Sequence, residues 1–241
     1  MKEWDEITAR IEEARSASDD RGVAVFDADG TLWGEDLGER HLKVMEARGV
    51  LSASPPYGSV YEEYLQRCEM DTDEGYAWAL TAMTGVPEQT VTDAAILAWG
   101  AHRELVPEGI HALFRWLESR EIEIWIVSAS NRWAIEVAGL ELGVRPDRII
   151  AMSMDVHEGR LAGQVHRPLC NGEGKADLIR SRIGVRPLLA MGNSRHDIAM
   201  LEVAAVGVVV RVAGSEGAVP DRCPVLAAHA SNRGWLERTL V

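Results

Sequence analysis

A chain of 241 residues, 46% hydrophobic and 26% charged, is long enough to bury one large core, or a core carrying an insertion. Its formal charge of -13 excludes the broad basic face that nucleic-acid backbones or anionic membranes require, so neither is expected as a partner. A chain this acidic that binds an anionic metabolite has to concentrate its positive charge locally, in the site itself.

In chain order, Trp4, Ile7, Ile11 and Ala14 recur at helical spacing and predict an opening amphipathic helix. This charged, periodic start does not read as a signal peptide. Arg21-Gly22 punctuates the helix, and Val23–Phe26 follows as a short apolar strand that ends at Asp27. The stretch 34–103 has no convincing strand. It shows helical segments near 37–48, 60–69, 74–83 and 89–102 and holds all four tyrosines, so it is expected to form a helical cap. The expected division is a core of residues 1–33 and 104–241 with a cap of 34–103.

Pro107 opens a helix through Ile110, Leu113, Phe114 and Leu117, and 122–127 reads as a buried strand. Ser130 is placed to cap a helix running to Leu142, with Gly143 at its end. A strand at 149–154 precedes a hairpin arm at 160–165. Next come a helix from about Lys175 to Ile183, a strand at 188–191, a helix at 197–203 and a last strand at 206–210. Strands alternating with helices imply right-handed crossovers, so the fold class is α/β: a doubly wound, mostly parallel sheet with an inserted helical cap. Apolar runs such as 204–210 are far too short to cross a bilayer. Cys68, Cys170 and Cys223 lie far apart and suggest free thiols in a reducing, cytoplasmic setting. The histidines lack the spacing of a zinc site.

The sharpest local signal is Phe26-Asp27-Ala28-Asp29-Gly30-Thr31-Leu32. In an open α/β sheet, ligands bind beyond the carboxyl ends of strands, where this segment falls. Acids at i and i+2 of an extended backbone face the same side, and Gly30 permits a sharp turn away. One carboxylate can hold a cation and attack phosphorus while the other shuttles a proton. The alternative, a calcium loop, needs further acids at fixed spacing and flanking helices, and neither is present.

With these residues in view, the chain resembles the haloacid dehalogenase superfamily, and within it the phosphatases. The DxDxT motif is met by Asp27, Asp29 and Thr31. The Ser or Thr that ends the next core strand is met by Ser128, the lysine opening a helix by Lys175, and the acidic fourth motif by Gly192 to Asp197. The resemblance covers nearly the whole chain in order and spacing. It implies an aspartyl-phosphate on Asp27, with Asp29 as general acid/base. It further implies Mg2+ held by Asp27, the Asp29 backbone carbonyl and Asn193, and a phosphoryl group held by Ser128, Ala129 and Lys175. Asp197 would support Lys175 or a metal-bound water, and Thr31 would tie the loop together. Asn193 stands where an aspartate is usual; its amide oxygen can still ligate magnesium but brings no formal charge.

An insertion directly after the first motif resembles the capped group that includes phosphoserine phosphatase, as does the segment Gly159–Val165. Asp36 falls where that group carries a glutamate that reads the substrate amine, but the segment reading the carboxylate is missing. The substrate implied is a small phosphorylated metabolite, with Asp36 and Trp33 as specificity residues. Tyr57, Tyr61, Tyr64, Tyr76, Trp78 and Trp99 supply either an aromatic cage for a quaternary ammonium or plain packing of the cap. A dehalogenase, a phosphotransferase and a non-catalytic phosphate-ligand binder are the rival readings.

Overall fold

The computed structural model describes residues 2–18, 21–55, 58–212 and 225–228. Along the chain run α1 (Lys2–Ser16), β1 (Val23–Phe26), α2 (Leu37–Ala47), α3 (Val60–Met70), α4 (Thr72–Thr81) and α5 (Glu88–Gly100). They are followed by α6 (Glu108–Glu118), β2 (Glu123–Asn131), α7 (Arg132–Glu141), β3 (Ile149–Met152), β4 (Met154–His157) and β5 (Arg160–Val165). The last elements are α8 (Glu173–Arg182), β6 (Leu189–Gly192), α9 (Ile198–Val203), β7 (Val206–Val212) and β8 (Val225–Ala228).

Six strands form one sheet in the order β3-β2-β1-β6-β7-β8, and the pairings of β1 with β2 and β6, of β6 with β7 and of β7 with β8 are parallel. The fold is therefore α/β with a parallel Rossmann-like sheet and an inserted helical region. Strand β1 is apolar throughout because it is buried on both faces; Val23, Ala24, Val25 and Phe26 have no exposed surface. Successive strands leave β1 in one direction through β2 and in the other through β6, so β1 and β6 flank a topological switch point. In such sheets the crevice beyond the carboxyl ends takes the ligand. The register sets Phe26 opposite both Ile126 and Met191, so the strand ends are level where Asp27 begins.

Two compact units divide the chain. One comprises Met1–Glu35, Glu104–Val127 and Asn171–Val241; the other comprises Asp36–Arg103 and Ser128–Cys170. In the first unit, Ile7 and Ile11 of α1 are fully buried, and Phe26 packs on Phe114 of α6 with ring centroids 5.3 Å apart. In the second, α2 to α5 form the helical region, and β4 and β5 pair as an antiparallel hairpin. A close approach there depends on a glycine: a Cβ on Gly38 of α2 would overlap the Ser130 hydroxyl.

Three expectations need correcting. Strand β2 continues to Asn131, and Asn131 rather than Ser130 caps α7 by accepting the Ala134 N–H at 3.1 Å. Asn is among the strongest capping residues. The hairpin's first arm begins at Met154, the residue that the expected 149–154 strand would have absorbed. Finally, 206–210 is not the last strand, because β8 pairs with β7. Its four residues are too few to show a period. Cys68 and Cys170 are free thiols, while Cys223 and Tyr57 lie outside the described residues.

Candidate active site

The first unit gathers its charge at the end of β1. The Asp27 N–H still donates to Met191 O at 2.8 Å, so the sheet ladder holds the residue that carries the carboxylate. The chain then turns sharply. Ala28 O accepts from the Thr31 and Leu32 amides, and the Gly30 N–H donates to Trp33 O at 2.8 Å. Gly30 has φ +79°, a left-handed conformation that glycine adopts without strain. Thr31 Oγ1 donates to Asp27 Oδ2 at 3.0 Å, a bond inside the loop itself.

Lys175 arrives from the first turn of α8. Its ammonium donates to Asp27 Oδ1 and to Asp197 Oδ1, each at 2.6 Å, and its side chain is only 1% exposed. A buried lysine survives as a cation only when paired, and here it bridges two carboxylates. The Asp197 Oδ2 oxygen accepts from the Asn193 and Ser194 amides and from the Ser194 hydroxyl, at 2.9–3.1 Å. The Ser194 and Asp197 pair forms a capping box, a signal legible in the sequence as serine with an acid three residues later. Gly192 is required at that turn, since a Cβ there would collide with the Asp197 side chain. The Gly172 N–H donates to His196 O at 3.1 Å and joins the start of α8 to the same loop.

The charges do not balance. Burial pushes the Asp27 carboxyl up to about 7, and nearby Asp197 and Asp29 add to the rise against the opposing pull of Lys175. Burial also acts to raise Asp197, but the Lys175 ammonium and the Ser194 donors outweigh it and hold that carboxyl below its ordinary range. One ammonium thus serves two acids, with Asp29 a third nearby.

A Cβ on Gly30 would overlap the Asn193 side-chain amide nitrogen, so Asn193 packs against this glycine. Carboxylate, carbonyl and amide oxygens, the donor types that Asp27, Asp29 and Asn193 carry, are the kind a hard divalent cation prefers. Among the described residues, no three His, Cys, Asp or Glu side chains come together as a metal cage.

Trp33, expected as a specificity residue, is buried, and its indole N–H donates to Asp29 Oδ1 at 2.8 Å. This contact had no obvious sequence signal beyond the four-residue spacing within a glycine turn.

Ser128, Ala129 and Asp36 belong to the second unit. Ser128 is buried near the end of β2, and its hydroxyl accepts the Ser130 N–H at 3.0 Å. Ala129 beside it is half-buried. Asp36 caps α2 through Oδ1, which accepts the Glu39 N–H at 2.7 Å. The tyrosines of this unit pack on one another: Tyr61 lies 6.0 Å from Tyr64, and Tyr64 stacks on Tyr76 at 6.5 Å. Lys43 already covers the Tyr61 ring at 3.8 Å, and the Tyr61 hydroxyl donates to Glu39 at 2.5 Å. Arg67 lies over Trp78, and Trp99 is buried. Tyr61, Tyr64, Tyr76 and Trp78 thus pack together in the helical region, with Lys43 on the Tyr61 ring and Arg67 on the Trp78 ring. His157 and His166 are exposed on the hairpin, where His166 pairs with Asp155 at 2.8 Å.

The family model for haloacid dehalogenase-like hydrolases matches residues 24–202, from β1 into α9. The chain belongs to the haloacid dehalogenase-like hydrolases. Among curated relatives, a phosphoserine phosphatase of Lactococcus lactis is 21% identical over 194 residues, spanning 78% of this chain and 82% of that protein. A Bordetella pertussis Tohama I protein of unknown function shares the fold with a TM-score of 0.69 at 16% identity, covering 79% of this chain and 90% of its own. A phosphoserine phosphatase from T. onnurineus has a TM-score of 0.57 at 18% identity, covering 91% and 94%. This haloacid dehalogenase-like hydrolase has, among its described residues, no helix long and apolar enough to cross a membrane.

Proposed function

We propose that the chain is a magnesium-dependent phosphomonoester hydrolase that acts on a small phosphorylated metabolite through an aspartyl-phosphate on Asp27. The observation that carries this reading is the buried Lys175 ammonium, held 2.6 Å from both Asp27 and Asp197. A carboxylate that attacks a phosphate dianion needs positive charge beside it, and Lys175 supplies one unit there. Two acids on one lysine leave room for a divalent cation, for which Asp27, the Asp29 carbonyl and Asn193 would be the protein ligands. When bound, Mg2+ supplies charge neutralisation for the nucleophile and the phosphoryl oxygens. Asn193 brings no charge, so weaker magnesium binding than an aspartate would give is expected.

In the first step an Asp27 oxygen forms a bond to phosphorus, the bond from phosphorus to the leaving oxygen breaks, and Asp29 gives that oxygen its proton. In the second, a water oxygen bonds to phosphorus, its proton goes to Asp29, and the bond to Asp27 breaks to release phosphate. Lys175 holds the Asp27 carboxylate in place, and Asp197 holds Lys175. Ser128 and Ala129 are the further phosphoryl contacts in this reading, and Asp36 is the residue that senses the substrate's leaving group. The names of the Lactococcus and T. onnurineus relatives make phosphoserine a substrate to include among those tested.

The Asn193 substitution favours a second reading, a chain that binds phosphorylated ligands without turning them over. Phosphate release separates the two. A panel of p-nitrophenyl phosphate, phosphoserine, phosphocholine and phosphoethanolamine should give magnesium-dependent turnover that chelator and Asp27→Asn both abolish. Binding without release across the panel would favour the second reading.

A further inference from the structure

We propose that Trp33 is a positioning residue for the general acid/base: its indole N–H fixes Asp29 so that Oδ2 is the oxygen that carries the transferred proton. The inference rests on the reading of Asp29 given above and deepens it.

The geometry lies wholly within the loop that follows β1. Trp33 is only 1% exposed, and its Nε1 donates to Asp29 Oδ1 at 2.8 Å. Asp29 itself is half-buried. The backbone closes the same ring, because residues 29 and 33 form an isolated parallel bridge and the Gly30 N–H donates to Trp33 O at 2.8 Å. Both ends of the Asp29–Trp33 contact are thereby held by main chain, and the buried indole has little freedom to release the carboxyl.

The chemistry follows from what an indole can do. Its N–H donates and never accepts. The carbonyl oxygen of a carboxyl is a stronger acceptor than its hydroxyl oxygen, so the indole donor on Oδ1 favours the form of a protonated Asp29 that holds its hydrogen on Oδ2. In the first step that proton moves from Oδ2 to the leaving oxygen as the phosphorus–oxygen bond breaks. In the second, the attacking water returns a proton to Oδ2 as the bond to Asp27 breaks. Removing the indole donor frees the carboxyl to rotate and lets the proton sit on either oxygen, so fewer encounters present it correctly. The loss is felt only where the leaving oxygen needs protonation.

Leaving-group dependence provides that readout. Trp33→Phe keeps an aromatic ring and deletes the donor. Turnover of alkyl phosphates such as phosphoserine and phosphoethanolamine should fall on the order of tenfold, while p-nitrophenyl phosphate, whose leaving group departs without a proton, stays within about twofold. The plot of log kcat/KM against leaving-group pKa should steepen. An equal loss on all esters, or no loss on any, overturns the proposal. A second measurement needs no Trp33 variant to fold. In 15N-labelled protein, Asp29→Asn should shift the Trp33 indole resonance among those of the eight tryptophans, and an unmoved set contradicts the contact. Asp27→Asn, run alongside, separates the two failures. If it retains turnover, the reading of the site itself is wrong; if it is inactive while Trp33→Phe acts uniformly, only the role of Trp33 is wrong.

Discussion

The cluster at Lys175 and the tyrosine cluster around Tyr61 are both polar, yet they resolve their polarity in opposite ways. Around Tyr61 every demand is met from within: the hydroxyl has Glu39, the ring face has Lys43, and the Val60 and Tyr61 amides have Glu46. Around Lys175 two buried acids share one ammonium, and burial with acidic neighbours drives Asp27 up to about 7. A self-satisfied cluster stabilises the fold, whereas an unbalanced one is poised to take up charge from outside. The proposed chemistry falls on the first unit's unbalanced loop, while the second unit's tyrosines pack against one another.

The largest expected effect comes from Lys175→Ala. It leaves two buried carboxylates without their cation, so kcat should drop by roughly 10²–10³-fold and unfolding free energy by about 3 kcal/mol. Near wild-type turnover in a folded Lys175→Ala protein would break the contrast.

Asp27→Asn sharpens it through pH. The folded Asp27 pKa is raised from 3.8 to about 7, so between those values the native protein holds a proton that the unfolded chain has released. This group's contribution is therefore fully present below pH 4 and is lost as pH climbs through 7. In chelator, Asp27→Asn should be the more stable protein at pH 8, by up to a few kcal/mol, with the advantage gone near pH 4. Magnesium should raise the melting temperature of wild type and leave that of Asp27→Asn nearly unchanged. Thermal melts across pH, with and without magnesium, check both statements.

The smallest effect is expected at Tyr61→Phe, which deletes one hydroxyl from a self-contained cluster. Stability should change by about 1 kcal/mol, and KM for cationic and neutral phosphomonoesters should stay within about twofold of wild type. A large, selective loss on phosphocholine would return the tyrosines to a substrate role.

Much of this was legible in the sequence. Val23–Phe26 appears as a strand with the predicted bounds because four apolar residues between a glycine and an acid leave little else to form. Lys175 was placed on the first turn of a helix, where it stands. Less legible was whatever depends on which groups meet across a turn. A propensity argument sees Ser130 and Asn131 as equivalent caps, and only the extension of β2 decides between them. Nothing in the spacing of Trp33, expected as a specificity residue, signals that its buried indole turns back to Asp29. Asp36, expected to read a substrate amine, also accepts the Glu39 N–H as the cap of α2, a contact that the three-residue spacing signals. The grouping of Ser128–Cys170 with the helical region, beyond the expected 34–103, reflects tertiary packing such as α5 and α7 against each other, which no local pattern encodes.

The most direct test is to trap the covalent intermediate. Rapid acid quench during turnover of p-nitrophenyl phosphate, followed by borohydride reduction and peptide mass spectrometry, reports where phosphorus was attached. Conversion of Asp27 to homoserine, absent without substrate and absent in Asp27→Asn, is the predicted result. Phosphate release with an unmodified Asp27 at every quench time would contradict nucleophilic attack by this carboxylate.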